Sequence, residues 1–344
     1  MVRFLVFVLT ALLAGAAAWW AFDRYTGFAD TPVAGIEQDA SLVIERGDSF
    51  ADVLAKLHAI GVDPARDIEW RLLARQMGAA ASLQVGEYAL APGITPRQLL
   101  QRMREGKVIR HRFTMVEGWN LRELRAALAR AEPLLQESAG LDDAALAEKL
   151  GHAGEHLEGR FLPETYLYTR GDSDLDLLGR AWTAMETTLD AAWESRVADL
   201  PLRTREEALV LASIIEKETG AAEERPRIAG VFVRRIKLGM KLQTDPTVIY
   251  GMGERYAGNI RRTDLLADTP YNTYTRTGLP PTPIAMPGAA AVHAATHPAP
   301  GDALYFVAIG DGSGRHVFSS SLREHQAAVR EYLRRYRAGQ RKAQ

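Results

Sequence analysis

The chain contains no cysteine in its 344 residues. That excludes disulfides, thiolate metal sites and a cysteine nucleophile, while leaving the compartment open. Neither sign of charge is in excess, since 42 Lys and Arg stand against 43 Asp and Glu for a formal charge of −1. A sequence-independent nucleic-acid binder needs a strongly basic balance, so that class is disfavoured and no nucleic-acid partner is expected. G-x-S-x-G, P-loop and dinucleotide fingerprints are missing. His293 and His297 are four apart, but Ala294 stands where a zinc protease carries its glutamate and Pro298 follows at once. No metal and no cofactor are therefore expected. Internal repeats and low-complexity tracts are also lacking.

What the chain does have begins at its start. Phe4 to Phe22 (FLVFVLTALLAGAAAWWAF) carries no charge. That is the length a helix needs to cross a bilayer, roughly 20 residues at ~1.5 Å rise each. Arg3 precedes the run, and Trp19 and Trp20 sit where an aromatic belt would meet the far interface. A cleaved signal peptide is the alternative, because Ala14-Gly15-Ala16 resembles a small-residue cleavage site. The apolar stretch exceeds the ~7–15 residues of a usual signal core, which favours an uncleaved anchor. Either way the bulk of the chain is exported. With 47% hydrophobic and 25% charged residues, that bulk can bury a sizeable core.

A stalk is expected over residues 25–40, which include Gly27, Pro32 and Gly35. A small domain follows. Ser41 to Glu45 reads as a strand, and Asp48 or Ser49 can cap a helix on which Phe50, Val53, Leu54 and Leu57 repeat at helical spacing. A second helix is expected at about 67–76, a second strand at 86–90, and a helix at 96–104 with Thr95 as cap and Pro96 at its favoured first position. The strand, the Arg46-Gly47-Asp48-Ser49 turn and the helix resemble the opening of a LysM module, a carbohydrate-binding fold. A packing or spacer domain is the plainer alternative. Beyond Val108 the pattern predicts a strand at 109–116, a Glu117-Gly118-Trp119-Asn120 turn, and helices at 121–131, 141–150, 175–198 and 205–219. After Gly239 turns and prolines dominate, until a hairpin at 304–309 and 316–319 and a closing helix at 321–337. The class is α+β.

Three patches carry candidate chemistry. Helix 205–219 holds Glu216 and Glu218, two positions apart and so on nearly opposite faces at about 100° per residue. They cannot serve one cleft as a retaining or inverting pair. Glu216 has small neighbours in Ala212, Ser213, Thr219 and Gly220, whereas Leu211, Ile214 and Ile215 flank Glu218. Small neighbours leave room for a sugar, and apolar surroundings raise a carboxyl pKa as a general acid requires. Glu216 is therefore expected to be the acid and base. Glu218 is expected among the substrate-binding groups, or as a supporting ion-pair residue. The plain alternative makes both solvated surface glutamates. Gln243, Thr244, Asp245, Tyr250, Tyr271, Asn272 and Tyr274 lie on polar, proline-stiffened segments that suit a sugar, which offers hydroxyls to bond and flat faces to stack. Glu158 and Glu164, in EGRFLPETY, could line the far wall of a cleft, with capping or ion pairing the plainer role for Glu164.

These patches, in this order, resemble the endolytic murein transglycosylase family, or YceG-like proteins. The matches are EGRFLPETY at 158–166, LASIIEKETG at 211–220, LQTDPTVIYGMG at 242–253, YNTYTRTGLPPTPIAMPG at 271–288 and LYFVA at 304–308. The resemblance implies a cytoplasmic tip and transmembrane anchor at 1–24, a stalk at 25–40, a LysM-like subdomain at 41–107 and a larger α+β catalytic domain at 108–340. It places the chain in the inner membrane as a single-pass protein with its bulk in the periplasm. It implies non-hydrolytic cleavage of the MurNAc–GlcNAc bond of peptidoglycan, leaving an anhydromuramyl end, with the family's catalytic glutamate on Glu216 and supporting groups such as Gln243, Asp245, Tyr250 or Asn272. Termination of glycan elongation beside a penicillin-binding protein synthase is implied in the same way, as is contact with inner-membrane lipid. The competing readings are a non-catalytic peptidoglycan-binding scaffold and a true hydrolase that uses water.

Overall fold

The computed structural model describes residues 2–36 and 38–342. A long first helix, α1 (Val2–Asp30), carries the uncharged run. Its Phe4, Phe7, Leu9, Leu12, Trp19 and Trp20 side chains are exposed rather than packed on the rest of the chain. By length and composition it can cross a membrane.

The described residues divide into two compact units, the first comprising 1–111 and 167–172 and the second 112–166 and 173–344. In the first unit, β1 (Ala40–Ile44) and β2 (Gly86–Leu90) pair antiparallel, with Ala40 opposite Leu90 and Ile44 opposite Gly86. Between them run α2 (Phe50–Ala59) and α3 (Asp67–Gln76), and α4 (Pro96–Glu105) follows. The caps anticipated in the sequence are those that form. Ser49 and Asp52 make a reciprocal box at α2, and Thr95 and Gln98 make one at α4. Apolar positions of the helices and strands converge on Leu42, Leu54, Trp70, Leu73, Tyr88 and Leu99, all buried. Gly86 is needed at its place, since its φ is +144° and a Cβ there would fall 2.4 Å from Val108 Cγ1.

The expected free stalk is absent. Residues 25–30 continue α1, and Ala29, Val33 and Ile36 are buried in the first unit's core. Phe28 meets Trp70 edge-on at 5.3 Å, and Arg24 Nε reaches Glu69 Oε1 at 2.9 Å. The helical spacing of Tyr25, Phe28 and Ala29 lets one face of α1 serve as core, which Gly27 does not prevent.

The chain then passes through β3 (His111–Thr114), α5 (Leu121–Leu128), α6 (Asp143–Lys149) and β4 (Thr165–Tyr168), all in the second unit except His111, Leu167 and Tyr168, which belong to the first. β3 pairs with β4. Then come α7 (Asp174–Glu194), α8 (Arg205–Glu218) and α9 (Arg225–Lys237). The short helices α10 (Asp245–Met252), α11 (Arg262–Leu266) and α12 (Ala289–Thr296) stand where only turns were expected. Helices this short complete too few turns to show a period, and Pro246 and the alanine run 289–291 add no apolar stripe. An antiparallel hairpin, β5 (Tyr305–Ala308) and β6 (His316–Ser319), and α13 (Leu322–Lys342) close the chain.

α8 is the centre of this unit. Every residue from Ala208 to Ile215 is buried, so the helix is apolar all round rather than amphipathic. α7, α9, α10 and α12 pack against it. The alanines of α12 (Ala291, Ala294 and Ala295, all buried) let two backbones approach closely. Ser213 is the one polar residue in the buried stretch. It donates to Val210 O at 2.7 Å and accepts from the Ile284 amide at 3.0 Å, tying the 284–288 segment to the helix.

Candidate active site

The buried body of α8 carries two glutamates out at its C-terminal turn. Thr219 is extended, with φ −146° and ψ 136°, so the helix stops at Glu218.

Glu216 was expected to face open space and does not. Its side chain is 4% exposed, and both oxygens are committed. Oε1 accepts from Arg225 Nη2 at 2.9 Å and Oε2 from the Gly288 amide at 2.9 Å. Of the small neighbours expected to leave room for a sugar, Ala212, Ser213 and Thr219 are themselves buried, and Ser213 is held against the 284–288 segment, while Gly220 is open. A small residue on a core helix admits a neighbouring helix more readily than a ligand.

Glu218 points to the polar loops. It accepts a hydrogen bond from the Thr244 hydroxyl, and burial pushes its carboxyl up to about 7, helped by the nearby charge of Asp245 and opposed by the Thr244 hydroxyl and Arg235. Around it two segments are laced together. The Gln243 amide donates to Thr273 O at 3.2 Å and the Thr244 amide to Thr273 Oγ1 at 3.1 Å. Thr247 Oγ1 lies 2.9 Å from Thr273 Oγ1, and Tyr274 donates to Asp245 Oδ1 at 2.6 Å. Arg235 holds the approach to this loop through the carbonyls of Lys241 (3.1 Å) and Leu242 (2.8 Å).

Gln243 is exposed and has φ 52°, the only non-glycine residue with a positive φ among the described residues. A side chain in the left-handed region costs of order 1 kcal/mol or more and persists only where its surroundings enforce it. Here the enforcing groups are the Thr273 carbonyl and hydroxyl on either side of the peptide. The strain delivers an exposed amide next to Thr244 and Glu218.

The other expected site residues divide. Tyr250 and Tyr271 pack ring to ring at 4.9 Å, and the Tyr271 hydroxyl lies 2.8 Å from Thr282 Oγ1. Tyr250 donates to Glu158 Oε2 at 3.1 Å. Glu158 is 3% exposed, and both oxygens also accept from the Leu121 amide, at 3.0 and 3.2 Å. Burial pushes its carboxyl up to about 7, so it is an interior group that joins α5 to α10 and not a wall of a cleft. Asn272 is likewise interior at 1% exposure. Its Nδ2 donates to the carbonyls of Asp264, Leu265 and Ala267, and its Oδ1 accepts from the Tyr274 amide. At that burial the side chain is closed to a sugar. It shapes the loop instead, and Asn272→Ala should cost about 1–3 kcal/mol, since three part-buried carbonyls lose their donor. A urea titration measures this. Glu164 is exposed, with its carbonyl accepting from the Met115 amide at 3.0 Å.

Sequence reasoning missed Glu117, Arg225, Gly288, Arg235, Thr247 and Thr273 as members of these two clusters. Glu117 and Arg225 are 108 positions apart and meet only in the fold, Nη2 to Oε2 at 3.1 Å. Thr273 lay inside a motif already singled out, but nothing in its neighbours marked its hydroxyl as a knot between loops.

A measurable consequence attaches to Thr244. Its hydroxyl holds the Glu218 carboxyl down, so Thr244→Val should raise that pKa and move the alkaline limb of the pH–rate profile upward by about half a unit to one unit. A limb that stays put would detach Glu218 from the reaction.

Comparison with known proteins adds an independent finding. Residues 42–331 match the YceG-like family. The endolytic murein transglycosylase of Bacillus subtilis is 32% identical over 271 residues, covering 74% of each chain. That of Streptococcus pneumoniae serotype 2 is 26% identical over 284 residues, covering 73% of this chain but only 51% of its own. A crystal structure of a yceG-like protein from Listeria monocytogenes, 28% identical, superposes with a TM-score of 0.53 over 84% of this chain and 99% of that one. A core helix ending in two differently housed glutamates is thus set within a match that spans most of the sequence, and the chain belongs to the YceG-like family.

Proposed function

We propose that this protein is a lytic transglycosylase of peptidoglycan, anchored by α1, and that Glu218 rather than Glu216 is its acid and base. The names of the Bacillus and Streptococcus relatives support the reaction class and the substrate. The choice of residue rests on one observation. Glu218 has a carboxyl pushed up to about 7 under a polar loop, while Glu216 has both oxygens bound to fixed donors. A general acid works best when its pKa lies near the working pH.

Cleavage needs one such group. Protonated Glu218 gives its proton to the glycosidic oxygen as the bond to the anomeric carbon breaks. The resulting carboxylate then takes the proton of the muramic acid's C6 hydroxyl as that oxygen bonds to the same carbon. The products are a new GlcNAc hydroxyl and a 1,6-anhydromuramyl end, and Glu218 returns to its starting state. Because the nucleophile is part of the substrate, no second carboxylate is required to activate water. Asp245, exposed beside Thr244, offers negative charge to an oxocarbenium-like transition state, and the Gln243 amide offers hydrogen bonds. Tyr271 and Tyr250 offer apolar rings for the sugar faces.

The apolar helix α1 supports a one-pass anchor, with the two compact units on the periplasmic side of the inner membrane and α1 in contact with its lipid. The helices of the first unit laid on a two-stranded antiparallel sheet, in the order strand, helix, helix, strand, support a LysM-like glycan-binding role. Action on nascent strands, ending their elongation beside a penicillin-binding protein synthase, is part of the same proposal. Mass spectrometry of ends released from purified glycan strands tests the core of it. Anhydromuramyl ends are expected. Reducing ends would indicate hydrolysis, and no new ends a binding scaffold.

A further inference from the structure

The second glutamate of α8 sits in a cluster of its own. Arg225 Nη2 bridges Glu216 Oε1 at 2.9 Å and Glu117 Oε2 at 3.1 Å. Arg225 is 8% exposed, and its buried Nε has no hydrogen-bond partner. A buried N–H left unpaired is costly and calls for a compensating use of the rest of the group. The use on view is the bridge, because the guanidinium is turned so that one nitrogen serves two carboxylates.

The surroundings are built to the same point. The Gly288 amide donates to Glu216 Oε2, and a Cβ on Gly288 would fall 1.9 Å from Glu117 Oε1, so any larger residue there would push the Glu117 carboxyl out of its place. The Gly118 amide donates to Met286 O at 2.9 Å, and the Met286 amide returns to Trp119 O at 2.7 Å. Lys217 Nζ donates to Gly118 O at 3.0 Å. Three segments remote in sequence, 117–119, 225 and 286–288, are thereby fastened to the final turn of α8. That turn needs fastening, because it ends in an extended Thr219 and helix ends fray.

We propose that Glu216, Arg225 and Glu117 form a positioning cluster that holds the last turn of α8 rigid and so sets where Glu218 meets the substrate. This rests on the reading of Glu218 as the acid. The two glutamates are two residues apart, about 3 Å along the helix axis, so loosening one displaces the other. A misplacement of ~1 Å can cost about 10²-fold in rate. Glu117 is the outer member of the cluster, with a half-exposed side chain. Burial, with the neighbouring charge of Glu216, pushes its carboxyl up, and Arg225 opposes this.

The test uses the full chain in detergent with purified glycan strands. Glu216→Gln and Arg225→Met should each lower kcat by about 10²-fold with KM within about twofold. Arg225→Lys, which keeps the charge but not the planar fork, should recover part of the loss. Hydrogen exchange should accelerate at residues 216–219 while 208–214 stay protected. Should either core variant fail to fold, Glu117→Gln on the half-exposed rim supplies the same readouts with a smaller loss. Unchanged kcat despite accelerated exchange would overturn the proposal, leaving the cluster purely structural. A KM effect alone would also overturn it. If instead Glu216→Gln removes all product while Glu218→Gln retains it, the assignment of the acid fails, and Arg225 becomes a partner of the acid itself.

Discussion

Glu218→Gln should abolish new anhydromuramyl ends while making the folded protein more stable at pH 8. The loss of rate should be about 10²–10⁴-fold, the usual contribution of a positioned acid–base group. The gain in stability follows from linkage. The carboxyl's folded pKa is raised from its ordinary value of 4.5 to about 7, so the native state holds a proton the unfolded chain has released. Stability from this group is full below pH 4.5 and falls away as pH rises through 7. At pH 8 the wild-type protein therefore keeps a carboxylate in an unfavourable place. Glutamine removes that cost and still accepts from Thr244, so the variant should gain about 1–3 kcal/mol at pH 8 and little at pH 4. Glu216→Gln should behave oppositely, losing an ion pair and gaining nothing. Paired thermal melts at the two pH values, with product ends counted by mass spectrometry, decide it. A Glu218→Gln protein that still makes anhydro ends at wild-type rate would refute the assignment.

Phe232→Ala should have the largest effect on stability alone, about 3–5 kcal/mol. Phe232 is 1% exposed on α9, in the cluster that includes Leu211 and Ile215 of α8. It also meets Phe306 of β5 edge-on at 5.8 Å. Truncating it removes a large buried ring and leaves a cavity that the surrounding helices, held by Arg235 and α12, cannot close. Phe306→Ala removes only the hairpin side of that contact, from a half-buried position, and should cost about half as much. Urea titrations of the two variants check the ranking through their midpoints. Equal costs would mean that the hairpin, not α9, seals the core behind the site.

The sequence made much of this fold legible. Strand 86–90 and helix 67–76 lie where expected, because turn residues bound each of them and their apolar positions keep one period. α12 was invisible for the converse reason, as an alanine-rich helix against another core helix presents no polar face to reveal a period. The site was legible as a set of segments but not as a geometry. Glu216 and Glu218 were correctly separated onto different faces. The size of neighbouring side chains then pointed to the Glu216 face as the open one, yet that carboxyl is enclosed, because on a helix buried all round that size reports only how closely another helix approaches. What distinguishes the two is a threonine at 244 and an arginine at 225. Neither is a helical neighbour, so local reasoning had no means of weighing them. The unusual φ of Gln243 was equally hidden, since no residue type announces a left-handed glutamine.

The brief return of residues 167–172 to the first unit bears on how the protein can be taken apart. Tyr168 lies beside His111 at 5.5 Å, and Arg170 Nε reaches Glu87 Oε2 at 3.1 Å, all within that unit. A fragment starting at Arg112 would carry a six-residue excursion stripped of these companions, with a bared tyrosine and an unmatched guanidinium in its middle. Biochemical dissection should therefore trim only the apolar turns before Asp23, or else splice the excursion out and close the gap with a tight designed turn. A single cut between the halves leaves neither one whole.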